Sequence, residues 1–343
     1  MQSKLPNSEL SIFAAMSTMA AQHNAVNLSQ GFPDFPTDSY LIELVADAMH
    51  EGHNQYAPLA GIYSLREKIC DMVKHLHKKS YDPATEVTIT VGATEALYTA
   101  ITAFVHSGDE VILLKPCYDS YEPTILLQGA IPVLVQLEAP YDKVDWEAVS
   151  NAVTSRTRMI LINTPHNPSG MMFSKEDMLQ LENIVRDTDI IILSDEVYEH
   201  IIFDGNQHES VARFSGLAER SLIVASFGKT FHTTGWKMGY CLAPEELMKE
   251  FQKVHQNIVF CVNHPTQRGL DIYLENSSHY RGLGAFYQQK RDYFLDLIKD
   301  SRFKFKPSQG TYFQLLDYSD ITDENDVAFA KRLITKNGIA SIP

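Results

Sequence analysis

Two charged residues follow apolar runs that have the composition of buried strands. Asp195 comes after residues 190–193, and Lys229 comes after residues 222–225. A lysine at the end of a buried strand can have its pKa lowered and act as an amine nucleophile. A carboxylate in such a place is partly desolvated and needs a cationic or hydrogen-bonding partner. The pattern indicates a reaction centre, and the alternatives are a helix N-cap for Asp195 and a solvated surface charge for Lys229.

A third feature is suited to binding an anion. Gly92, Ala93 and Thr94 follow the β-rich run 87–91 and open a helical pattern. The free N–H groups at a helix start and the positive end of the helix dipole together favour phosphate. Taken alone, such a turn is more often an ordinary strand–helix connection.

The elements that must position these groups alternate along the chain. Short β-rich runs, several of them almost entirely apolar, are separated by amphipathic stretches long enough for crossovers between parallel strands. The sequence therefore predicts an α/β domain, a mostly parallel sheet flanked by helices. Because ligands collect at the carboxyl ends of parallel strands, five strand ends are predicted to converge on one cleft. The six candidate strands are residues 87–91, 111–114, 131–137, 159–162, 190–193 and 222–225.

The closing third of the chain has a different character. Long helical patterns at 244–256 and 279–299 are followed by a predicted strand at 310–318 and a predicted helix at 326–336. This succession predicts a smaller α+β domain, which the first ~40 residues are expected to join. The predicted division is an N-terminal segment 1–40 associated with the small domain, a large domain 41–275 and a small domain 276–343.

Composition narrows the class of function. The 343 residues include 29 Lys and Arg against 43 Asp and Glu, a formal charge of -14, which disfavours non-specific binding to nucleic acid or anionic membrane. The four cysteines are far apart and the histidines have no zinc-ligand spacing, so neither a disulfide framework nor a metal site is predicted. Residues 10–21 predict an N-terminal helix and not a signal peptide, and no apolar run is long enough to span a membrane. The predicted compartment is the cytoplasm.

An amine nucleophile, an acid, a phosphate-binding helix end and an aromatic ring are the protein groups that pyridoxal phosphate needs. The motifs N-T-P-H-N-P-S-G, S-D-E-V-Y and S-F-G-K-T-F-H-T-T-G-W-K begin at Asn163, Ser194 and Ser226. In this order and spacing they resemble the fold-type I, class I aminotransferases over nearly the whole chain. Further motifs at 29–35 and 54–61 make the resemblance strongest to the methionine aminotransferase branch, close to kynurenine and glutamine aminotransferases.

The resemblance implies pyridoxal 5'-phosphate as cofactor and a role for each matching residue. Lys229 would carry the cofactor covalently and then act as the catalytic base. Asp195 would pair with the pyridine N–H, and Tyr198 and Asn167 would hydrogen-bond the phenolic oxygen, with Asn167 also near the substrate. Tyr118 would stack on the ring, although a core or surface aromatic is the commoner role for tyrosine. Catalysis is thus assigned to Lys229, Asp195 and Tyr198.

The remaining assignments concern the phosphate, the substrate and a second subunit. Tyr56 would reach the partner's phosphate in a homodimer with shared active sites, the alternative being an exposed loop tyrosine. Gly31 would contact the substrate carboxylate through its backbone, the alternative being an ordinary turn before Pro33. The residues expected to hold the phosphate within one subunit are Ala93, Thr94, Ser226 and Lys237.

The C-terminal end of the sequence differs from the family pattern. Residues 338–343 have the pattern of a strand that is just beginning, where relatives continue. The small domain is therefore expected to be incomplete relative to the family, without the arginine that grips the substrate α-carboxylate. Which residue takes that place is left open.

The implied activity is transfer of the amino group of methionine, or of a similar large apolar or aromatic amino acid, to a 2-oxo acid. Two alternatives stay open at this point. A cysteine-conjugate β-lyase or kynurenine aminotransferase has the same fold, which does not choose between these reactions. A non-catalytic protein that keeps the cofactor as a structural ligand is the other.

Overall fold

The computed structural model describes residues 3–6 and 11–343, which form a seven-stranded sheet and a separate two-stranded sheet. Helices cover both faces of the larger sheet. The strands of the described residues are β1 Val26–Asn27, β2 Val87–Thr90, β3 Glu110–Lys115, β4 Ile131–Gln136, β5 Thr157–Asn163, β6 Ile191–Asp195, β7 Ser221–Ser226, β8 Gly239–Leu242 and β9 Ile339–Ala340.

The helices lie mainly between the strands. The α-helices of the described residues are α1 Ile12–Gln22, α2 Ser39–His50, α3 Tyr63–His77, α4 Gly92–Phe104, α5 Tyr121–Leu127, α6 Trp146–Ala152, α7 Lys175–Val185, α8 Ser215–Ala218, α9 Phe227–Thr230, α10 Glu245–Ile258, α11 His264–Tyr273, α12 Ser278–Arg281, α13 Leu283–Ile298 and α14 Asp326–Arg332. Short 3₁₀ turns occur at Val211–Arg213 and Thr234–Trp236, and a π-helical turn occurs at Leu333–Asn337.

The large sheet has the strand order β2-β8-β7-β6-β5-β3-β4. Strands β3 to β7 pair in parallel, whereas β8 lies antiparallel to both β2 and β7. The carboxyl ends are therefore in register, with Asn163 opposite Asp195 and Asp195 opposite Val224. This confirms the predicted α/β class, and each of the six predicted strands is present with its ends shifted by at most two residues.

The sheet is buried on both faces, as its apolar strands require. Ile160 and Ile162 of β5 pack into one hydrophobic cluster, while Met159 and Leu161 pack into another on the opposite face. This alternation holds the strands rigidly between two helical layers, so the loops at their carboxyl ends have fixed positions.

The smaller sheet brings the two ends of the described chain together. Strand β1 pairs in parallel with β9, with Val26 opposite Ile339. Met16 of α1 and Ile334 of the π-helical turn belong to the small apolar cluster beside it. The strand predicted at 338–343 is thus present as β9. The predicted N-terminal helix is present from Ile12, and its expected first residue, Leu10, lies outside the described residues.

Several sequence predictions for the closing third are wrong in detail. The strand predicted at 310–318 is absent and only isolated bridges occur at Gly310 and Asp317, because the N–H groups of Gln309 and Gly310 both donate to the Gly170 carbonyl. The helix predicted at 279–299 is divided at Gly282 into α12 and α13. The sequence does not predict strand β8, because four residues are too few to give a clear hydrophobic pattern. Within the described part of the chain, no helix is both long and apolar enough to cross a membrane.

Candidate active site

The predicted convergence of five strand ends on one cleft is confirmed. Residues that follow β2 and β3 meet residues at the ends of β5, β6 and β7 around a cleft that is partly open to solvent. Nine of the residues singled out from sequence line it: Ala93, Thr94, Tyr118, Asn167, Asp195, Tyr198, Ser226, Lys229 and Lys237.

Lys229 lies in α9, a four-residue helix that continues directly from β7. The Ser226 hydroxyl caps this helix by accepting from the Lys229 backbone N–H at 3.4 Å. The side-chain amine donates to the Gly31 carbonyl at 2.8 Å and to the Tyr312 hydroxyl at 3.0 Å. Burial lowers the pKa of this amine to about 8, against the attraction of Asp195. An amine with this pKa can act as a nucleophile or base near neutral pH.

Asp195 ends β6 and is only 4% exposed. Its carboxylate accepts from the Tyr121 hydroxyl at 2.6 Å and from the Val197 N–H at 3.2 Å. Burial raises the pKa of Asp195 to about 6, although the hydrogen bond from Tyr121 opposes this rise. A buried acid with so few donors is suited to a cationic or N–H ligand in the cleft.

Helix α4 offers its N-terminus to the other end of the cleft. It begins at Gly92, whose φ of +69° favours glycine, and no side chain caps it. A Cβ at Gly92 would lie 3.3 Å from the Lys237 amine, so a cation stands beside the uncapped N–H groups. Together with Ala93 and Thr94, these groups are suited to the anion that the sequence predicts here.

Aromatic and amide side chains occupy the space between these ends. Tyr198 is almost completely buried, and burial raises its pKa well above the usual value. Asn167 is held by its backbone N–H, which donates to the Asn163 side chain at 2.6 Å. The rings of Tyr118 and Tyr121 are 5.6 Å apart and nearly perpendicular. A flat ring bound between the anion site and Asp195 would therefore meet an aromatic wall.

Two of the predicted residues lie outside the lining of this cleft. Gly31 is beside it, because a Cβ built there would be 3.7 Å from the Lys229 amine and 3.2 Å from the Phe313 ring. Tyr56 is 81% exposed and contacts Phe260, with ring centroids 5.2 Å apart. Tyr56 is therefore not part of the cleft lining of its own chain.

Sequence reasoning missed three residues that contact the predicted ones. Tyr121 bonds Asp195, Tyr312 bonds Lys229, and the Asn163 side chain donates to the Asp195 carbonyl at 2.9 Å. Asn163 could have been found from its place in the same motif as Asn167. No pattern marked either tyrosine, because each reaches its partner through the tertiary fold.

A buried group of charged side chains lies behind the turn that carries Asp195 and Tyr198. The ligand atoms of His77, Glu196 and Glu199 are within 4.8 Å of one another, although the spacing predicted no metal site. Glu199 pairs with His77 at 2.9 Å and accepts from the Tyr240 hydroxyl at 3.0 Å. Glu196 accepts from Ser194 and pairs with His208. We interpret the group as an ion-pair network, because both carboxylates already have hydrogen-bonding partners.

The cleft thus offers an amine nucleophile, a buried acid and an uncapped helix end with a cation beside it. These groups fit pyridoxal phosphate, whose aldehyde carbon, ring nitrogen and phosphate need such partners. The chain matches the family described as aminotransferase class I and II over residues 23–343. The protein belongs to this family. It is a pyridoxal-phosphate-dependent aminotransferase that acts on an amino acid and a 2-oxo acid.

Individual relatives agree with this assignment. Methionine aminotransferase of Escherichia coli is 46% identical over 100% of this chain and 89% of that protein. A crystal structure from the same organism, described as having a methionine aminotransferase function, superposes with a TM-score of 0.98 over 100% of this chain and 90% of that one. Human kynurenine–oxoglutarate transaminase 1 is 34% identical over 95% of this chain and 85% of that protein.

A further structure shows that the fold extends to other substrates. N-succinyldiaminopimelate aminotransferase from Mycobacterium tuberculosis superposes with a TM-score of 0.95 at 35% identity, over 99% of this chain and 89% of that one. The fold is therefore that of the fold-type I aminotransferases, and the fold by itself does not determine the amino donor.

Proposed function

We propose that this aminotransferase takes its amino group from methionine or a similar large apolar or aromatic amino acid. The observation that carries this proposal is the 46% identity with a methionine aminotransferase over the full chain. Kynurenine–oxoglutarate transaminase 1 is less similar, at 34%. We expect alternate binding of the amino donor and the 2-oxo acceptor, because the enzyme must hold the amino group between two half-reactions.

The roles proposed for the polar side chains are those that the family resemblance implies, and their positions in the cleft support them. Lys229 would attach the cofactor through its side-chain amine, and when released would move the proton at the substrate α-carbon. Asp195 would accept a hydrogen bond from the ring nitrogen, which its burial makes a strong preference. When bound, pyridoxal phosphate supplies an electron sink for the charge that develops at the α-carbon.

The remaining residues would bind and orient. Tyr198 and Asn167 lie where they could donate to the phenolic oxygen, and Tyr118 could cover one face of the ring. Gly31 would offer its backbone to the substrate carboxylate, and its place beside Lys229 supports this role. The phosphate would be held by Ala93, Thr94, Ser226 and Lys237, all of which line the cleft near the start of α4.

We also propose a homodimer with shared active sites. Tyr56 and Phe260 form an exposed aromatic pair, 81% and 53% accessible. Aromatic side chains are enriched in protein interfaces, where a second subunit could cover such a pair and receive the Tyr56 hydroxyl.

The division into an N-terminal segment 1–40, a large domain 41–275 and a small domain 276–343 is likewise a proposal. The pairing of β1 with β9 supports placing the N-terminal segment with the small domain. A cytoplasmic location is proposed as well, and it is supported by the four unpaired cysteines. Limited proteolysis and cell fractionation, respectively, test these two proposals.

A donor screen tests the proposed activity. The purified chain, loaded with pyridoxal phosphate, is mixed with single amino acids and no acceptor, and the absorbance of the bound cofactor is followed. Methionine should convert the cofactor fastest, and Lys229→Ala should abolish conversion. Faster conversion by kynurenine would contradict the donor assignment. Pyruvate and ammonia from a cysteine conjugate without an oxo acid would indicate a β-lyase, and no conversion by any donor would indicate a non-catalytic protein.

A mapping experiment tests the role of Lys229 directly. Borohydride reduction of the loaded enzyme followed by peptide mapping should place the cofactor on Lys229. A label on Lys237, the other cleft lysine, would contradict the assignment.

A further inference from the structure

Tyr312 lies on a segment that is fixed against the active-site turns. The Thr311 N–H donates to the Ile201 carbonyl at 2.9 Å, just after the turn that carries Tyr198. A Cβ at Gly310 would meet the Pro165 side chain at 2.8 Å and the Ile201 carbonyl at 2.9 Å. The backbone beside Tyr312 therefore has little room to move, and its hydroxyl is held in place.

The Tyr312 hydroxyl is the common partner of two groups. It donates its proton to the Gly31 carbonyl. Its oxygen accepts from the Lys229 amine at 3.0 Å. The Lys229 amine donates to the Gly31 carbonyl as well, at 2.8 Å. One partly buried hydroxyl thus connects the proposed catalytic lysine with the proposed carboxylate-binding loop.

We propose that Tyr312 is a positioning residue for Lys229. With the Gly31 carbonyl, it forms a holding site for the lysine amine whenever that amine is not bonded to the cofactor. Both partners accept from the amine, so they favour its charged form and partly offset the burial that disfavours it. The held amine stays close to the substrate α-carbon instead of swinging between rotamers. The inference rests on the proposed role of Lys229.

The proposal differs from a packing role, which the same ring also has. The Tyr312 ring is 5.3 Å from that of Tyr198 and 5.6 Å from that of Tyr287. Tyr312→Phe keeps these contacts and removes only the hydroxyl. Tyr287→Phe is the matched control, because its hydroxyl contacts His232 at 3.1 Å and belongs to the same aromatic cluster.

The first measurement uses the cofactor-free chain. The pH dependence of trinitrobenzenesulfonate labelling at Lys229, followed by peptide mapping, gives the pKa of the amine. Tyr312→Phe should lower this pKa by about one unit, a tenfold change in the ionisation constant, since a charged donor loses an acceptor. Tyr287→Phe should leave it unchanged. An unchanged pKa in Tyr312→Phe, or an equal shift in the control, overturns the proposal.

The second measurement uses the loaded enzyme. Tyr312→Phe should lower kcat by about tenfold with little change in KM for the amino donor, because the base is misplaced while binding is kept. A change confined to KM would contradict positioning. If Tyr312→Phe does not fold, Tyr312→Leu should give the same downward shift of the Lys229 pKa. Borohydride mapping to another lysine would instead reject the proposed role of Lys229, so the two failures are distinguishable.

Discussion

At the scale of single residues, the site is built from groups that are costly to bury. Asp195 has its pKa raised and Lys229 has its pKa lowered, in both cases first by burial. Each shift means that the charged form is disfavoured in the cofactor-free chain. The cleft therefore contains two charged groups that lack a full set of partners until a ligand binds. Such groups lower the stability of the fold and are kept because they are needed for function.

The burial of Asp195 predicts how the free energy of unfolding depends on pH. Its pKa is 3.8 in an exposed carboxyl and about 6 in the folded chain. The contribution of Asp195 to stability should be greatest below its pKa in the unfolded chain and should fall as pH rises through its pKa in the folded chain. The loss should be about 3 kcal/mol, because the pKa of Asp195 is about two units higher in the folded chain. In urea denaturation of the cofactor-free chain, Asp195→Asn should lack this loss between about pH 4 and about pH 6. Equal pH dependence in both chains would show that Asp195 is not destabilising.

Removing the Asp195 carboxylate should relieve a cost in stability, but it should also lower the turnover of the enzyme loaded with pyridoxal phosphate. Asp195→Ala should keep the fold yet lose at least a hundredfold in kcat with methionine, because the ring nitrogen loses its partner. Circular dichroism checks the fold and the donor assay checks the rate. Near-normal turnover would contradict the assigned role.

At the scale of elements, an ion pair ties a helix to the turn that carries the site. His77 is in the last turn of α3, and Glu199 follows Tyr198 in the turn after β6. Burial alone would raise the pKa of Glu199, but His200 and His77 outweigh burial and lower it to about 2. The pair therefore stabilises the position of Tyr198 through its neighbour.

Breaking this pair should be costly. Glu199→Gln is expected to lower the free energy of unfolding by about 3–5 kcal/mol, because it leaves His77 buried without its charged partner. The contribution of Glu199 should be lost as pH falls from about 4.5 toward 2. Glu245→Gln, which breaks the exposed pair with Lys249, is the control and should lower the free energy of unfolding far less. An equal loss in the free energy of unfolding for both variants would show that the buried pair stabilises the fold no more than the exposed pair does.

At the scale of the whole molecule, Tyr56 is 81% exposed and does not line the cleft of its own chain. A mixture of Tyr56→Phe and Lys229→Ala chains tests whether sites are shared. In a mixed dimer both defects fall in the same site, so the other site is intact and activity should recover to about a quarter or more of the wild-type value per chain. Failure to recover, or a monomer by light scattering at assay concentration, would reject the shared site.

The sequence by itself determined the class of fold and the chemical centre of the site. Alternating apolar runs and amphipathic stretches predicted the parallel sheet, because a strand buried on both faces must be apolar along its length. Lys229, Asp195 and the start of α4 are recognisable because each lies at or just after the end of such a strand. Their types and their place at strand ends are local properties, and local properties can be read along a chain.

Only the tertiary structure decided which other side chains complete the site. Tyr121 reaches Asp195 across 74 residues, and Tyr312 reaches Lys229 across 83. The fold also placed β8 antiparallel between β2 and β7, and it replaced the predicted strand at 310–318 with a loop held by Gly170. The physical reason is the same in each case. Hydrogen bonds between distant segments depend on packing geometry, which neither the residue type nor its spacing along the chain encodes by itself.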